Sequence, residues 1–311
     1  MTPLRSRRLL AVSLTLAIAS ALAITALPVH AQPTGASRLR IVASFSILAD
    51  MVREVGGDAV EVSALVGPDS DAHVFEPSPA DAKRVAQADL VVVNGLGFEG
   101  WLDRLIRSAG YRGPVLVATR GIASRALGGV ADPHAWQSLE MAQRYVENIR
   151  AGLVQKRPLV AAQFDARAAD YQRRLAALHE ATRARLAAIP AAERRVVTSH
   201  DAFGYFGAAY GVEFRAPQGW STASEASAGD VARIVRQLKA ERVRALFVEN
   251  ISDPRMLERI AQEAGARIGG TLYSDALSPP GTPGDTYLRL FEHNVTTLLT
   301  ALQARPGDAA R

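Results

Sequence analysis

The chain has no cysteine. No disulfide can form and no lipid can be attached at a lipobox cysteine, so the fold must be held by its core. Lysine is nearly as scarce, occurring at Lys83, Lys156 and Lys239, and arginine carries the basic character. The whole chain has 36 basic against 31 acidic side chains, but three of the arginines fall in the first 31 residues. What remains is 33 against 31, close to neutral. No basic stripe is interleaved with aromatics, so no nucleic-acid partner is expected. There is no compact H-E-x-x-H motif and no repeat at a short fixed period.

What is present begins with an export signature. Arg5, Arg7 and Arg8 form a basic start, and residues 9–27 form an apolar run. Val29-His30-Ala31 then supplies small residues at the −3 and −1 positions of a signal-peptidase site. Retention as a membrane anchor competes with this reading, because the run is nearly long enough to span. The small-residue end followed by Gln-Pro-Thr-Gly favours cleavage after Ala31. A free protein of about 280 residues in the periplasm is expected, enough for two domains with ordinary cores.

The rest of the chain alternates strand and helix. Strands are expected at 40–45, 60–66, 89–95, 115–118, 195–199, 212–216, 245–249 and 267–272, with helices between them. Ser78-Pro79-Ala80-Asp81 and Ser227-Ala228-Gly229-Asp230 each read as a helix start, with Ser as N-cap and Asp three residues later. The alternation implies βαβ units and mostly parallel sheets. Residues 165–189 form one long Ala-, Arg- and Leu-rich helix with apolar positions at Ala169, Leu175, Leu178, Ala181 and Leu186, ended by Pro190. The expected class is α/β: two lobes with mostly parallel sheets, 38–164 and 191–305, joined by one rigid linker helix, 165–190.

Five histidines follow the leader. His179 and His293 fall inside helices and read as helix-face residues. The other three lie in loops. His73 follows the second strand in Asp71-Ala72-His73-Val74-Phe75-Glu76-Pro77, His134 sits in Asp132-Pro133-His134-Ala135-Trp136, and His200 ends the strand before Asp201-Ala202-Phe203. Asp275 occupies a similar place after the strand 267–272. Ligands of open α/β sheets bind at the carboxyl ends of strands. Three imidazoles and a carboxylate suit Zn²⁺ in tetrahedral geometry better than Mg²⁺ or Ca²⁺, which want oxygen. Spacing alone leaves this site and four unrelated loop residues equally open. A single histidine in such a turn is ordinarily a surface group.

These motifs, with Ser199-His200-Asp201-Ala202-Phe203-Gly204-Tyr205-Phe206 and Tyr273-Ser274-Asp275-Ala276-Leu277, occur in the order found in a known family. From residue 41 to about 302 the chain resembles the cluster A-I substrate-binding proteins of bacterial ABC importers for zinc and manganese. The resemblance implies that His73, His134, His200 and Asp275 bind metal between two lobes, and that 165–189 is the family's rigid linker. It implies capture of Zn²⁺, not catalysis, and delivery to a membrane permease driven by its cytoplasmic ATPase, by a receptor acting as a monomer.

Manganese-selective members tend to carry glutamate where this chain has His200, which points to zinc, though Mn²⁺ remains an alternative cargo. Zinc members often carry a His- and acid-rich loop before the second motif. Here residues 119–131 contain neither histidine nor acid, so a separate periplasmic zinc metallochaperone is the expected donor. Binding should weaken as pH falls through the histidine range. Asp201 and Glu249 are the candidates to orient the imidazoles. A stiff linker implies small lobe motions, with release by local movement around Asp275. The alternatives are an iron- or chelate-binding receptor on the same plan, a zinc hydrolase with Asp201 as base, and a surface adhesin.

Overall fold

The computed structural model describes residues 37–304, apart from 128, 242 and 244. The expected leader, 1–31, lies outside the described residues. Two four-stranded parallel sheets organise the fold. The first contains β1 (Leu39–Phe45), β2 (Val60–Val66), β3 (Leu90–Val93) and β4 (Val115–Val117), in the order β2-β1-β3-β4. A short antiparallel hairpin, β5 (Ala126–Leu127) and β6 (Val130–Ala131), follows it. The second sheet contains β7 (Arg195–Val197), β8 (Glu213–Arg215), β9 (Ala245–Glu249) and β10 (Arg267–Leu272), in the order β8-β7-β9-β10. The two orders are the same when each sheet is counted from its own first strand. The lobes therefore share one topology, and the α/β class expected from the alternation is what forms.

The central strands are apolar because they are covered on both sides. Leu90-Val91-Val92-Val93 is buried throughout, as a strand inside a parallel sheet requires. The first lobe carries α1 (Ser46–Gly56), α2 (Pro79–Ala86), α3 (Leu102–Ser108) and α4 (Leu139–Lys156). The capping box expected at α2 is present: Ser78 Oγ accepts from Asp81 N at 3.3 Å, and Asp81 Oδ2 accepts from Ser78 N at 2.7 Å.

The long helix is α5 (Ala161–Ala187), 27 residues, beginning before the expected 165. At 1.5 Å per residue it is roughly 40 Å long. Its buried stripe is Phe164, Ala168, Tyr171, Leu175, Thr182 and Leu186. Ala169 and Ala181, expected on that stripe, are exposed. In an alanine-rich helix the alanines do not set the phase; the large side chains Phe164, Tyr171, Leu175 and Leu186 do.

The second lobe carries α6 (Gly204–Tyr210), α7 (Ala228–Glu241), α8 (Arg255–Ala264) and α9 (Tyr287–Gln303). Helices α7 and α8 cover one face of its sheet with a separate small core around Ile234, Leu238, Leu246, Leu257 and Ile260. The main core is continuous between the lobes, running from Ile41 and Val91 through Tyr171 and Leu175 to Phe206, Phe291 and Leu298. Helix α5 touches α1 and α4 of the first lobe and α6 and α9 of the second. No helix among the described residues is long and apolar enough to cross a membrane.

Candidate metal centre

All four residues singled out from the sequence meet at the carboxyl ends of the strands. One ligand atom from each of His73, His134, His200 and Asp275 lies within 4.8 Å of every other. Asp275 Oδ2 is 3.2 Å from His73 Nε2, 3.1 Å from His200 Nε2 and 3.7 Å from His134 Nε2. His73 Nε2 and His134 Nε2 are 3.3 Å apart. Tetrahedral zinc with bonds near 2.0–2.1 Å separates its ligand atoms by about 3.3 Å, and these four separations, 3.1–3.7 Å, are close to that spacing. His179 and His293 stay apart from the cluster, against the Tyr210 hydroxyl and the Thr271 carbonyl respectively.

Each candidate ligand is positioned by local chemistry. His73 and His134 both follow an aspartate by two residues, and in both the Asp Oδ1 accepts the histidine backbone N–H, at 2.9 and 3.0 Å. This is the Asx turn, a local alternative to helix or strand pairing. The repeated D-x-H spacing was readable in the sequence and was missed as an orienting device. Around His73, Trp101 Nε1 donates to the Ala72 carbonyl at 2.8 Å, and the Phe98 ring stands edge-on to the imidazole with centroids 4.8 Å apart. Phe75 packs on Trp101, while Val74 is 49% exposed.

His134 and His200 are gripped by one device. Asp132 Oδ1, which takes the His134 backbone N–H, also lies 2.9 Å from His134 Nδ1. Glu249 Oε1 accepts the His200 backbone N–H at 2.9 Å, and its Oε2 lies 2.6 Å from His200 Nδ1. A carboxylate at Nδ1 keeps the proton there and turns the Nε2 lone pair toward the centre. Glu249 thus fills the orienting role considered for it. Asp201 does not: its backbone N–H goes to the Gly219 carbonyl at 3.2 Å, and its carboxyl reaches the Trp220 side chain. The side chain after a strand end points away from its neighbour, so adjacency to His200 in sequence was a poor guide. Asp132 takes that place.

An asparagine at the end of the third strand of each lobe grips a loop that carries a candidate ligand. Asn94, after β3, donates Nδ2 to the Pro133 carbonyl at 3.0 Å, next to His134. Asn250, after β9, donates Nδ2 to the Ala276 carbonyl at 3.1 Å and accepts from Ser274 N at 3.3 Å, bracketing Asp275. The lobes then tie to each other. Trp136 Nε1 and Gln137 Nε2 both donate to the Ser274 carbonyl, at 2.9 and 2.7 Å.

The centre is buried and rich in negative charge. Asp132, His134, His200, Glu249 and Asp275 are 0–2% exposed. Both oxygens of Asp275 and Nε2 of His200 lack a hydrogen-bond partner, and the close approach of His200 Nδ1 to Glu249 Oε2 is an ion pair without hydrogen-bond alignment. Burial by itself raises a carboxyl and lowers an imidazole. Here it is outweighed: His200 and His134 hold Asp275 well below the usual carboxylate range, Glu249 and Asp275 hold His200 well above the usual imidazole range, and Asp275 and Asp132 raise His134. With Asp132 and Glu249 behind two of the imidazoles and Asp275 among them, the cavity carries three buried carboxylates that favour a cation, and a divalent transition ion that displaces the imidazole protons meets a mixed N/O donor set.

The sequence of the family described as the zinc-uptake complex component A, periplasmic, matches residues 41–301. The chain belongs to this family of substrate-binding proteins of metal ABC transporters. Among curated relatives, the manganese-binding lipoprotein MntA of Bacillus subtilis is 33% identical over 276 residues, covering 86% of this chain and 90% of MntA. The iron-binding protein YfeA of Yersinia pestis is 31% identical, covering 85% and 86%. The solved periplasmic zinc-binding protein TroA of Treponema pallidum superposes with a TM-score of 0.83 at 30% identity, covering 86% of this chain and all of TroA. The protein is thus a receptor that binds a divalent metal for an ABC transporter, and the hydrolase reading is dropped, since this family is one of solute receptors and not enzymes.

Proposed function

We propose that the protein captures Zn²⁺ in the periplasm through Nε2 of His73, His134 and His200 and the carboxylate of Asp275, and delivers it to the membrane permease of an ABC importer. The observation that carries this reading is the third nitrogen. Glu249 stands at Nδ1 of His200, so that Nε2 is the atom aimed at the centre and the one that gives up its proton to a bound metal, leaving Asp275 as the single carboxylate among the four candidate ligands. Three nitrogens and one oxygen suit Zn²⁺, whereas Mn²⁺ prefers more oxygen. Four protein ligands close the shell and leave no open position of the kind a catalytic zinc needs. The TroA relative, named as a zinc-binding protein, supports the reading.

A second reading, a manganese or broad divalent-metal receptor, is favoured by the name of the MntA relative. The two separate in one experiment. Chelated protein is reloaded from an equimolar zinc–manganese mixture and examined by native mass spectrometry with metal analysis, beside His200→Glu. Zinc receptors give one zinc per wild-type chain, with manganese occupancy rising in the variant. Manganese in the wild type would overturn zinc selectivity, and no stoichiometric metal would overturn the four-ligand site. We further propose that the receptor acts as a monomer and that, without a His-rich loop in 119–131, a periplasmic metallochaperone supplies its zinc.

A further inference from the structure

Given the metal-receptor reading above, bound metal is enclosed, and one of the ligand loops must yield to release it. The Asp275 segment is held from every side. Tyr273 exchanges two hydrogen bonds with the Asn294 side chain, both 2.8 Å. Ser274 is fixed by Asn250, Trp136 and Gln137, Ala276 by Asn250, and Leu277 N donates to Ser46 Oγ at 2.9 Å. Residues 274–278 are all buried. Local movement around Asp275, expected from the stiff linker, would break most of these contacts at once.

The His73 turn is held otherwise. It lies at the rim, with Asp69 and Val74 exposed and Asp71 half-buried. Three contacts tie it to the second lobe. Asp69 N donates to the Leu277 carbonyl at 2.9 Å, Asn250 Nδ2 donates to Asp69 Oδ1 at 2.8 Å, and the Thr222 hydroxyl donates to Asp71 Oδ2 at 2.5 Å. The last is a short hydrogen bond to a carboxylate, the stronger kind. Asp71 spends its two oxygens on different lobes: Oδ1 sets the His73 backbone, and Oδ2 takes Thr222. Thr222 itself sits on the loop after β8, which is pinned beside His200 where Asp201 N meets the Gly219 carbonyl at 3.2 Å and Gln218 bridges to His200. A displacement of this loop is therefore transmitted through one carboxylate to a metal ligand.

We infer that Thr222, acting through Asp71 and supported by the Asn250–Asp69 contact, is the latch that holds the His73 turn closed, and that metal leaves when this turn lifts while Asp275 stays in place. Thr222 is a positioning residue, because it touches no metal ligand directly.

The test is the rate at which the zinc-loaded, full-length receptor yields zinc to an excess of a chromogenic chelator, followed by stopped flow, beside the melting temperature of the metal-free protein. Thr222→Val keeps the side-chain shape and removes the donor. It is expected to release zinc about tenfold faster, the low end of what outer-shell partners contribute, with unchanged metal-free melting. Thr222→Ser restores the donor and is expected to return the wild-type rate. Asp69→Ala, on the exposed rim, is expected to speed release as well. Wild-type protein that holds zinc, with Thr222→Val releasing it at the wild-type rate, would overturn the latch alone. A Ser variant as fast as the Val variant would overturn it too, by assigning the effect to packing of the methyl group. Wild-type protein that holds no zinc would overturn the receptor reading and the latch with it.

Discussion

Two carboxylates decide how the buried imidazoles present themselves. Asp132 and Glu249 each accept a histidine backbone N–H and stand beside its Nδ1, Asp132 in a hydrogen bond and Glu249 as an ion-pair partner. The ring is then held against flipping, and Nε2 is the nitrogen that gives up its proton when a metal binds. Glu249→Gln removes the charge behind His200 and leaves a side chain of nearly the same shape. It is expected to weaken zinc binding roughly 10–100-fold in a chelator competition titration. Asp201→Asn, which alters a carboxyl directed at Trp220, is expected to leave affinity within about twofold. If the two variants weaken binding equally, Glu249 has no special place in the site. These roles were only half legible. A glutamate at a strand end is an ordinary feature, and its partnership with His200, 49 positions away in the chain, exists only because β9 lies next to β7.

At the scale of elements, the start of α9 is capped from another lobe. Asp50 on α1 is buried, and its Oδ2 accepts the Tyr287 N–H at 2.8 Å. Burial, with some help from Glu54 and Asp285, pushes its carboxyl up from the ordinary 3.8 to about 6, against the opposing pull of the Tyr287 N–H and Arg53. A carboxyl with a raised folded value binds its proton more tightly folded than unfolded. Stability therefore falls as pH rises from about 4 to about 6, and above that range the fold carries the whole cost of the buried charge, on the order of 3 kcal/mol. Asp50→Asn keeps an oxygen for Tyr287 and avoids that cost. The variant is expected to melt above the wild type at pH 8, with the difference shrinking toward zero near pH 4. A gap that widens on acidification would contradict the assignment. Neither Asp50 nor Tyr287 stands out in the sequence, because their pairing spans 237 positions.

The molecule as a whole has one continuous main core between its lobes. Leu175 on α5 is fully buried within it. Leu175→Ala is expected to cost roughly 2–5 kcal/mol and to shift a single denaturant transition. Two separated transitions in the wild type would mean that the lobes unfold independently. The same continuity, with α5 lying along both lobes, predicts small changes on metal loading. Solution scattering of metal-free and zinc-loaded protein should give matching radii of gyration. A clear compaction on loading would show hinge closure and place release in lobe opening instead of the His73 turn.

The amino-acid pattern by itself determined the alternation of elements, hence the parallel sheets, and singled out His73, His134, His200 and Asp275 as candidate ligands in loops. Those signals are local: apolar periodicity, caps such as Ser78 with Asp81, and short motifs around each ligand. The phase of α5 was misjudged where alanine faces both core and solvent, and the hairpin of β5 and β6 was missed because two-residue strands carry no periodicity. Only the tertiary structure decided which carboxylate orients which imidazole, that Asn94 and Asn250 occupy matching strand ends, and that the His73 turn is tied to the second lobe at its rim. Each of these depends on side chains from separate strands meeting where the sheets end. Sheet order brings them together, and that order is set by the burial of the whole core.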